Sequence, residues 1–289
     1  MFKYFPANYV WDLSVDLAVE MGVRLGEIEE MCTPQQETAM QRDAAETNAF
    51  RGTWARMADK PCALAEEDEA SGRLISSGDK YGRAATYYLT AEWLQAHGAE
   101  GRLELYRCFL DVFSRGIRLA GENCERVEIP DGDRQICGLY VRAGGVNGPA
   151  PILVQINGME STKEMKYRVG PPAWLAKRGV ASVLIDQPGT GEASRLHGMH
   201  AVSNSELWRS AWSARAVSWC RTTGSTRAGS GAPTTWTTSC VSPRTSTSMG
   251  SSTASRCRSW SPTAPGIRRS RCAGPSALTS NWSTAPSAN

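Results

Sequence analysis

Apolar residues recur at three- and four-residue spacing from Val10 to about Ala120. They do so in Val15, Leu17, Ala18, Met21, Val23, Leu25 and Ile28, and again in Ala84, Ala85, Tyr87, Tyr88, Leu89, Ala91, Trp93 and Leu94. That period predicts successive amphipathic helices, each turning one face to a core. Pro34, the Gly52-Thr53 neighbourhood, Asp59-Lys60-Pro61 and Ser76-Ser77-Gly78 punctuate the pattern, and Gly121 closes the helix running from Leu103 through Phe113. Residues 1–121 therefore read as an all-helical unit of ordinary domain size.

The period then changes. Arg126-Val127-Glu128-Ile129 and Ile136-Cys137-Gly138-Leu139-Tyr140-Val141 flank Pro130-Asp131-Gly132-Asp133, an Asp-Gly turn signal between two alternating segments, which predicts an antiparallel hairpin. A continuous apolar strand, Ile152 to Ile156, follows, then a helix start at Ser161, whose spacing to Glu164 fits a capping box. A second buried strand, Ala181 to Ile185, completes a βαβ unit with a right-handed crossover and parallel strands. The expected fold class is α/β: a helical unit, then part of a mixed sheet over residues 122–212. From Arg221 to Asn289 the chain is Ser, Thr, Arg, Pro, Gly and Trp with no acidic residue and no period. Such a segment buries too little apolar surface to offset its chain entropy, so residues 213–289 are expected to be a low-order tail.

Composition changes the picture in two places. The 289 residues carry a net charge of +3, but every acidic residue and every Lys precedes Trp208, while Arg alone carries charge beyond Glu206. No nucleic-acid partner is expected from so small a balance. The nine cysteines show no CxxC pair and no His-rich spacing, so Cys32, Cys62, Cys108, Cys124 and Cys137 read as reduced core residues rather than disulfides or metal ligands. The N-terminal Met1-Phe2-Lys3-Tyr4-Phe5-Pro6 has no apolar leader pattern, and no run approaches the roughly 20 apolar residues of a membrane span. A cytoplasmic location without a membrane partner is the expectation.

The candidate chemistry lies where the first parallel strand ends, in Asn157-Gly158-Met159. A strand turning directly into a helix there presents backbone N–H groups at the carboxyl edge of the sheet, where an acyl-transfer oxyanion would sit. By spacing alone, an ordinary βα turn with a capped helix is the favoured reading of the same residues, since such turns are common in α/β folds. Gly189-x-Gly191 after the second strand lacks the third glycine and the lysine of a nucleotide loop, so no nucleotide cofactor is expected.

Asn-Gly-Met-Glu-Ser-Thr-Lys-Glu at 157 to 164, Lys-Arg-Gly-Val-Ala at 177 to 181 and Asp-Gln-Pro-Gly-Thr-Gly-Glu at 186 to 192 resemble a family of α/β hydrolases. That family contains 2,6-dihydroxypseudooxynicotine hydrolase, the fungal polyketide-shortening hydrolases and the FrsA-like esterases. The resemblance covers roughly residues 80 to 208. It implies a helical cap over a hydrolase domain, an ester or C–C bond hydrolysed through a serine nucleophile, a small-molecule substrate, no cofactor and no metal. It places an oxyanion hole on Gly158 and the backbone N–H of Met159. Gln187 stands where the family commonly has glycine.

The rest of the machinery is missing from the sequence. No Gly-x-Ser-x-Gly occurs, and the nearest strings, Gly229-Ser230-Gly231 and Gly250-Ser251-Ser252, fail the pattern. The three histidines, His97, His197 and His200, all precede the place an elbow would hold and read as surface residues. Reading the codons from Arg221 one base early permits Pro-His-Tyr-Trp-Glu-His, Trp-Val-Trp-Gly and a His-Gly-x-x-Asp-like string ending near Ile267, which resemble later segments of the family. An out-of-frame tail, with the elbow lost between about Trp208 and Cys220, is therefore expected; a natural Arg-rich tail for an anionic partner is the alternative. An uncovered face and edge of half a sheet would favour a homo-oligomer or an unstable remnant, and the helical unit could act as an interaction module. Three smaller features read as structural: Glu160 pairing with Lys163, the aromatic set Tyr87, Tyr88, Trp93, Tyr106 and Phe109 as cap core, and Glu66-Glu67-Asp68-Glu69 as a solvated helix face.

Overall fold

Helices fill the first part of the chain: α1 (Tyr9–Glu20), α2 (Leu25–Cys32), a 3-10 turn (Thr33–Gln35), α3 (Gln36–Ala39), α4 (Ala45–Ala70), α5 (Leu74–Trp93) and α6 (Arg102–Leu119). The computed structural model describes residues 3–40, 45–131, 134–158 and 161–227. All of these lie within the compact unit Met1–Gly231, and the second unit, Ala232–Asn289, falls outside them.

An unbroken line of rings holds the helices together. Phe5 meets Trp11 at 5.3 Å, Trp11 meets Phe50 at 4.9 Å, Phe50 meets Trp54 at 5.3 Å and Trp54 meets Tyr87 at 5.9 Å. Tyr88, Tyr106 and Phe109 are buried with them, as the aromatic spacing predicts for a cap core.

Three of the expected helix breaks are not breaks. α4 runs through Gly52 and Pro61, and α5 through Ser76-Ser77-Gly78. Packing overrides local propensity at these points. Trp54, Met57, Ala58 and Ala65 bury one face of α4, and the Ser77 hydroxyl donates to the Ala65 carbonyl at 2.7 Å. Gly78 and Gly116 let α5 and α6 touch backbone to backbone: a Cβ on Gly78 would stand 2.4 Å from the Ala120 nitrogen. The real break is the turn at Ser71-Gly72, where Gly72 takes a φ of 75°. Nor is the acidic run entirely solvated. Asp68 is buried and accepts from Lys80, Ser76 and Arg73, whose hydrogen bonds hold its carboxyl below the usual carboxylate range, and Glu69 accepts from Arg115 at 2.7 Å.

The second part is α/β. β1 (Glu125–Asp131) and β2 (Arg134–Val141) form the expected antiparallel hairpin, its connection 132–133 lying outside the described residues. β3 (Ile152–Ile156), α7 (Lys163–Val169), α8 (Pro172–Ala176) and β4 (Ala181–Ile185) form the βαβ unit, and the strand order is β1-β2-β4-β3. β4 is antiparallel to β2 and parallel to β3, so a hairpin feeds a parallel sheet. Alternation decides the faces: Leu139, Val141 and Leu184 join the core beneath the cap helices, α7 and α8, while Ile136, Val183 and Ile185 join a second core.

That second core is closed by α9 (Gly191–Arg195) and α10 (Ser205–Arg227). The expected limit at Trp212 falls inside α10, and the rest of the tail expected over residues 213–289, from residue 228 on, lies outside the described residues. Trp208, Trp212, Ala216 and Cys220 recur every fourth residue and seat the helix on Val127, Ile129 and Ile185. An apolar stripe of tryptophan, alanine and cysteine carries no Leu, Ile or Val to announce it. Both faces of the sheet are thus covered, against the expectation of an uncovered face. β3 remains an edge strand with Leu153 42% exposed. Among the described residues, no helix is long and apolar enough to cross a membrane.

Candidate active site

Because Ile156 pairs with Ile185 in parallel register, the chain leaves β3 and β4 at the same edge of the sheet. Asn157-Gly158 and Asp186-Gln187 therefore face each other. Gly158 is exposed, and among the described residues nothing stands within 4 Å of the place where a Cβ would lie. Met159 and Glu160 lie outside the described residues. The helix after the turn is capped by Thr162 rather than Ser161: its hydroxyl accepts from the Met165 N–H at 3.2 Å, while the Ser161 N–H donates to the Gly158 carbonyl. Glu164, the partner expected of a capping box, turns inward instead.

The reason is a buried cation. Lys163 is fully buried, and its ammonium donates to Glu164 Oε1 at 2.8 Å, Glu192 Oε2 at 2.9 Å and Asp186 Oδ2 at 3.0 Å. Burial disfavours the ammonium, but the surrounding carboxylates outweigh it and raise the Lys163 pKa well above its ordinary value. The Asp186 carboxylate accepts from four donors: Asn157 Nδ2, the Lys163 N–H at 2.8 Å, Lys163 Nζ and the Glu192 N–H at 2.9 Å. One side chain thereby ties both loops and the start of α7 together. Gln187 adds a further tie, donating from Nε2 to the Asn157 carbonyl at 2.8 Å.

Glu192 is held from its other side by Arg126, whose two Nη atoms each donate at 2.6 Å. Burial alone would raise its carboxyl. The hydrogen bonds from Arg126 and Lys163 win and bring it down to about 2. Glu164 goes the other way, since its burial outweighs the attraction of Lys163, and its Oε2 has no hydrogen-bond partner among the described residues.

The cap reaches this cluster directly. Arg195 of α9 donates to Glu92 of α5 at 2.6 and 3.0 Å and lies 5.0 Å over the ring of Tyr106 from α6. Arg102 donates to the same Glu92 at 2.6 Å.

Gly191 shows how tightly the second loop is drawn. It takes a φ of 43°, and a Cβ there would stand 2.2 Å from the Asp186 carboxylate. Gly191→Ala is therefore expected to cost about 2–4 kcal/mol, from left-handed strain together with displacement of the Asp186 clamp. Urea unfolding of the two proteins measures it; a change under about 0.5 kcal/mol would show that the loop is not held in this way.

Sequence reasoning placed Gly158 at the edge but missed Lys163, Asp186 and Glu192 as a buried constellation. The signal available was a Lys-Glu pair at a helix start together with an Asp and a Glu flanking the next turn. His97, His197 and His200 are exposed, as expected. His197 nevertheless stands beside the cluster, with Nε2 3.5 Å from Cys137 Sγ and 3.8 Å from Glu192 Oε1.

No protein-family model matches the chain. Curated relatives are hydrolases. The chain is 32% identical to Hydrolase LUC6 of a Fusarium species over 55% of this chain and 39% of the relative. It is 33% identical to 20-hydroxy-prefusarin hydrolase FUS2 of Gibberella moniliformis over 50% and 35%. It is 27% identical to 2,6-dihydropseudooxynicotine hydrolase of Paenarthrobacter nicotinovorans over 52% and 40%. The matched region thus spans less than half the length of these relatives. Among solved structures, 2,6-dihydroxy-pseudo-oxynicotine hydrolase superposes with a TM-score of 0.48 at 23% identity, covering 61% of this chain and 46% of that one. The curated relatives are named as hydrolases, as the resemblance carried by the motifs at 157–164 and 186–192 implies.

Proposed function

We propose that this chain carries the helical cap and the oxyanion-binding edge of a serine α/β hydrolase acting on an ester or a ketone-activated C–C bond of a small molecule, and that it has no nucleophile or general base of its own. The observation carrying this reading is the Asp186 clamp, which fixes the Gly158 turn beside the second loop while no Gly-x-Ser-x-Gly follows. In a complete enzyme of this kind a serine attacks the carbonyl, a histidine takes its proton, an acid orients the imidazole, and N–H groups at Gly158 and Met159 meet the oxyanion. The names of the relatives support a small organic substrate.

Loss of a nucleophile or base in such a unit removes on the order of 10⁶ in rate. With a series of p-nitrophenyl esters, hydrolysis by the purified chain is expected at the buffer rate. Saturable turnover abolished by phenylmethylsulfonyl fluoride would overturn the reading. We assign the tail's origin to an out-of-frame translation, which sequencing of the coding DNA across Trp208 to Cys220 checks: an uninterrupted frame encoding the present tail would sink it.

A second reading, a non-catalytic module, is favoured by the coverage of both sheet faces. Cooperative unfolding of a monodisperse species supports it, and broad aggregation supports an unstable remnant.

A further inference from the structure

Three side chains from separate elements converge beside the clamp: Cys137 of β2, Glu192 of α9 and His197 of the turn beyond it. Their ligand atoms all lie within 4.8 Å of one another. We propose that Cys137 Sγ, Glu192 Oε1 and His197 Nε2 form a binding site for a divalent cation of the zinc class.

The first argument is geometric. A tetrahedral zinc with a thiolate at about 2.3 Å and an imidazole at about 2.0 Å separates sulfur from nitrogen by about 3.5 Å. The distance between Cys137 Sγ and His197 Nε2 is 3.5 Å, and that between His197 Nε2 and Glu192 Oε1 is 3.8 Å. Arg126 Nη2 stands on two of the three atoms, 2.6 Å from Glu192 Oε1 and 3.2 Å from Cys137 Sγ, and has to move aside for the cation.

The second argument is the ligand set. A sulfur, an imidazole and one carboxylate suit zinc, whereas calcium and magnesium take oxygen. Charge is the third. Lys163 and Arg126 between them face four carboxylates, those of Glu128, Glu164, Asp186 and Glu192, so the neighbourhood holds a surplus of acid that a divalent cation offsets. Arg126 also donates from Nη2 to Cys137 Sγ at 3.2 Å, but burial and the Glu192 carboxylate outweigh it and push the thiol up to about 12, so the sulfur gives up its proton only to the incoming cation. The Arg126 side chain is 33% exposed and has Glu128 as an outer partner, so it can yield ground to the incoming ion. His197, 35% exposed, marks the entry path and leaves the fourth position to water. On binding, the Cys137 S–H bond breaks, sulfur takes the metal, and the proton leaves to solvent. Sequence spacing hid the site, because 60 residues separate Cys137 from His197.

The test is titration of the reduced full chain with Zn²⁺ by calorimetry and with Co²⁺ by absorption. A one-to-one complex is expected, with a thiolate-to-cobalt charge-transfer band. Cys137→Ser and His197→Gln should each weaken binding by about 100-fold or more, while Cys124→Ser leaves it unchanged. His197 lies at the surface, so its variant separates lost binding from lost folding. A cobalt spectrum without a sulfur band, or one unaltered in both Cys137→Ser and His197→Gln, would overturn the proposal. Neither result bears on the Gly158 turn.

Discussion

Lys163→Met is expected to cost about 3–5 kcal/mol at neutral pH, because it leaves Asp186, Glu164 and Glu192 buried around an ammonium that is gone. Methionine matches the lysine stem closely enough that lost packing contributes little. The pH dependence distinguishes charge from shape. In the parent chain Glu192, brought down to about 2 from an ordinary 4.5, contributes stability that is present above pH 4.5 and is lost as pH falls toward 2. In Lys163→Met the crowded carboxylates take up protons at higher pH, so the deficit is largest near pH 7 and narrows below about pH 4. Urea midpoints at a series of pH values measure this. A deficit independent of pH would mean that Lys163 acts as a packing residue.

Trp212→Ala is expected to release α10 from the sheet. Trp212 is 1% exposed, packs edge-on against Trp208 at 5.7 Å and donates from its indole N–H to Asp131 at 2.8 Å, while Arg215 grips the same carboxylate. Truncating a buried tryptophan costs about 3–5 kcal/mol, more where the site cannot collapse. The face formed by Val127, Ile129 and Ile185 would then be bared, and early proteolysis within Ser205–Arg227 should accompany the lower urea midpoint. Trp212→Phe, which keeps the ring but not the N–H, should fall between the two. Unchanged protease resistance in Trp212→Ala would show that α10 does not close this core.

Much of this architecture was legible in the residues. The three- and four-residue period announces the cap, and the Asp-Gly hairpin and two apolar strands announce a sheet that begins antiparallel and continues parallel. What was not legible shares one cause: long-range contacts reversed the local signal. Gly52, Pro61 and Gly78 read as helix breaks until the packing of α4, α5 and α6 gives each a place. Trp208 to Cys220 looked like the start of a structureless run until β1 and β3 supplied a surface for its stripe. At the candidate site the sequence placed Gly158 after a strand, at the sheet edge where it lies. Lys163, Asp186 and Glu192 were not legible as a cluster, since their meeting depends on the register of β3 against β4 and on a turn drawn tight enough to admit only glycine at 191.

The similarity to hydrolases covers less than half the length of the relatives. The proposal therefore rests on a Gly158 turn tied down by the buried Asp186 carboxylate and on the lack of a Gly-x-Ser-x-Gly string in the sequence. Fluorophosphonate labelling followed by intact mass tests that most directly. The account predicts an unmodified chain at neutral pH, whereas stoichiometric modification of one serine would contradict it.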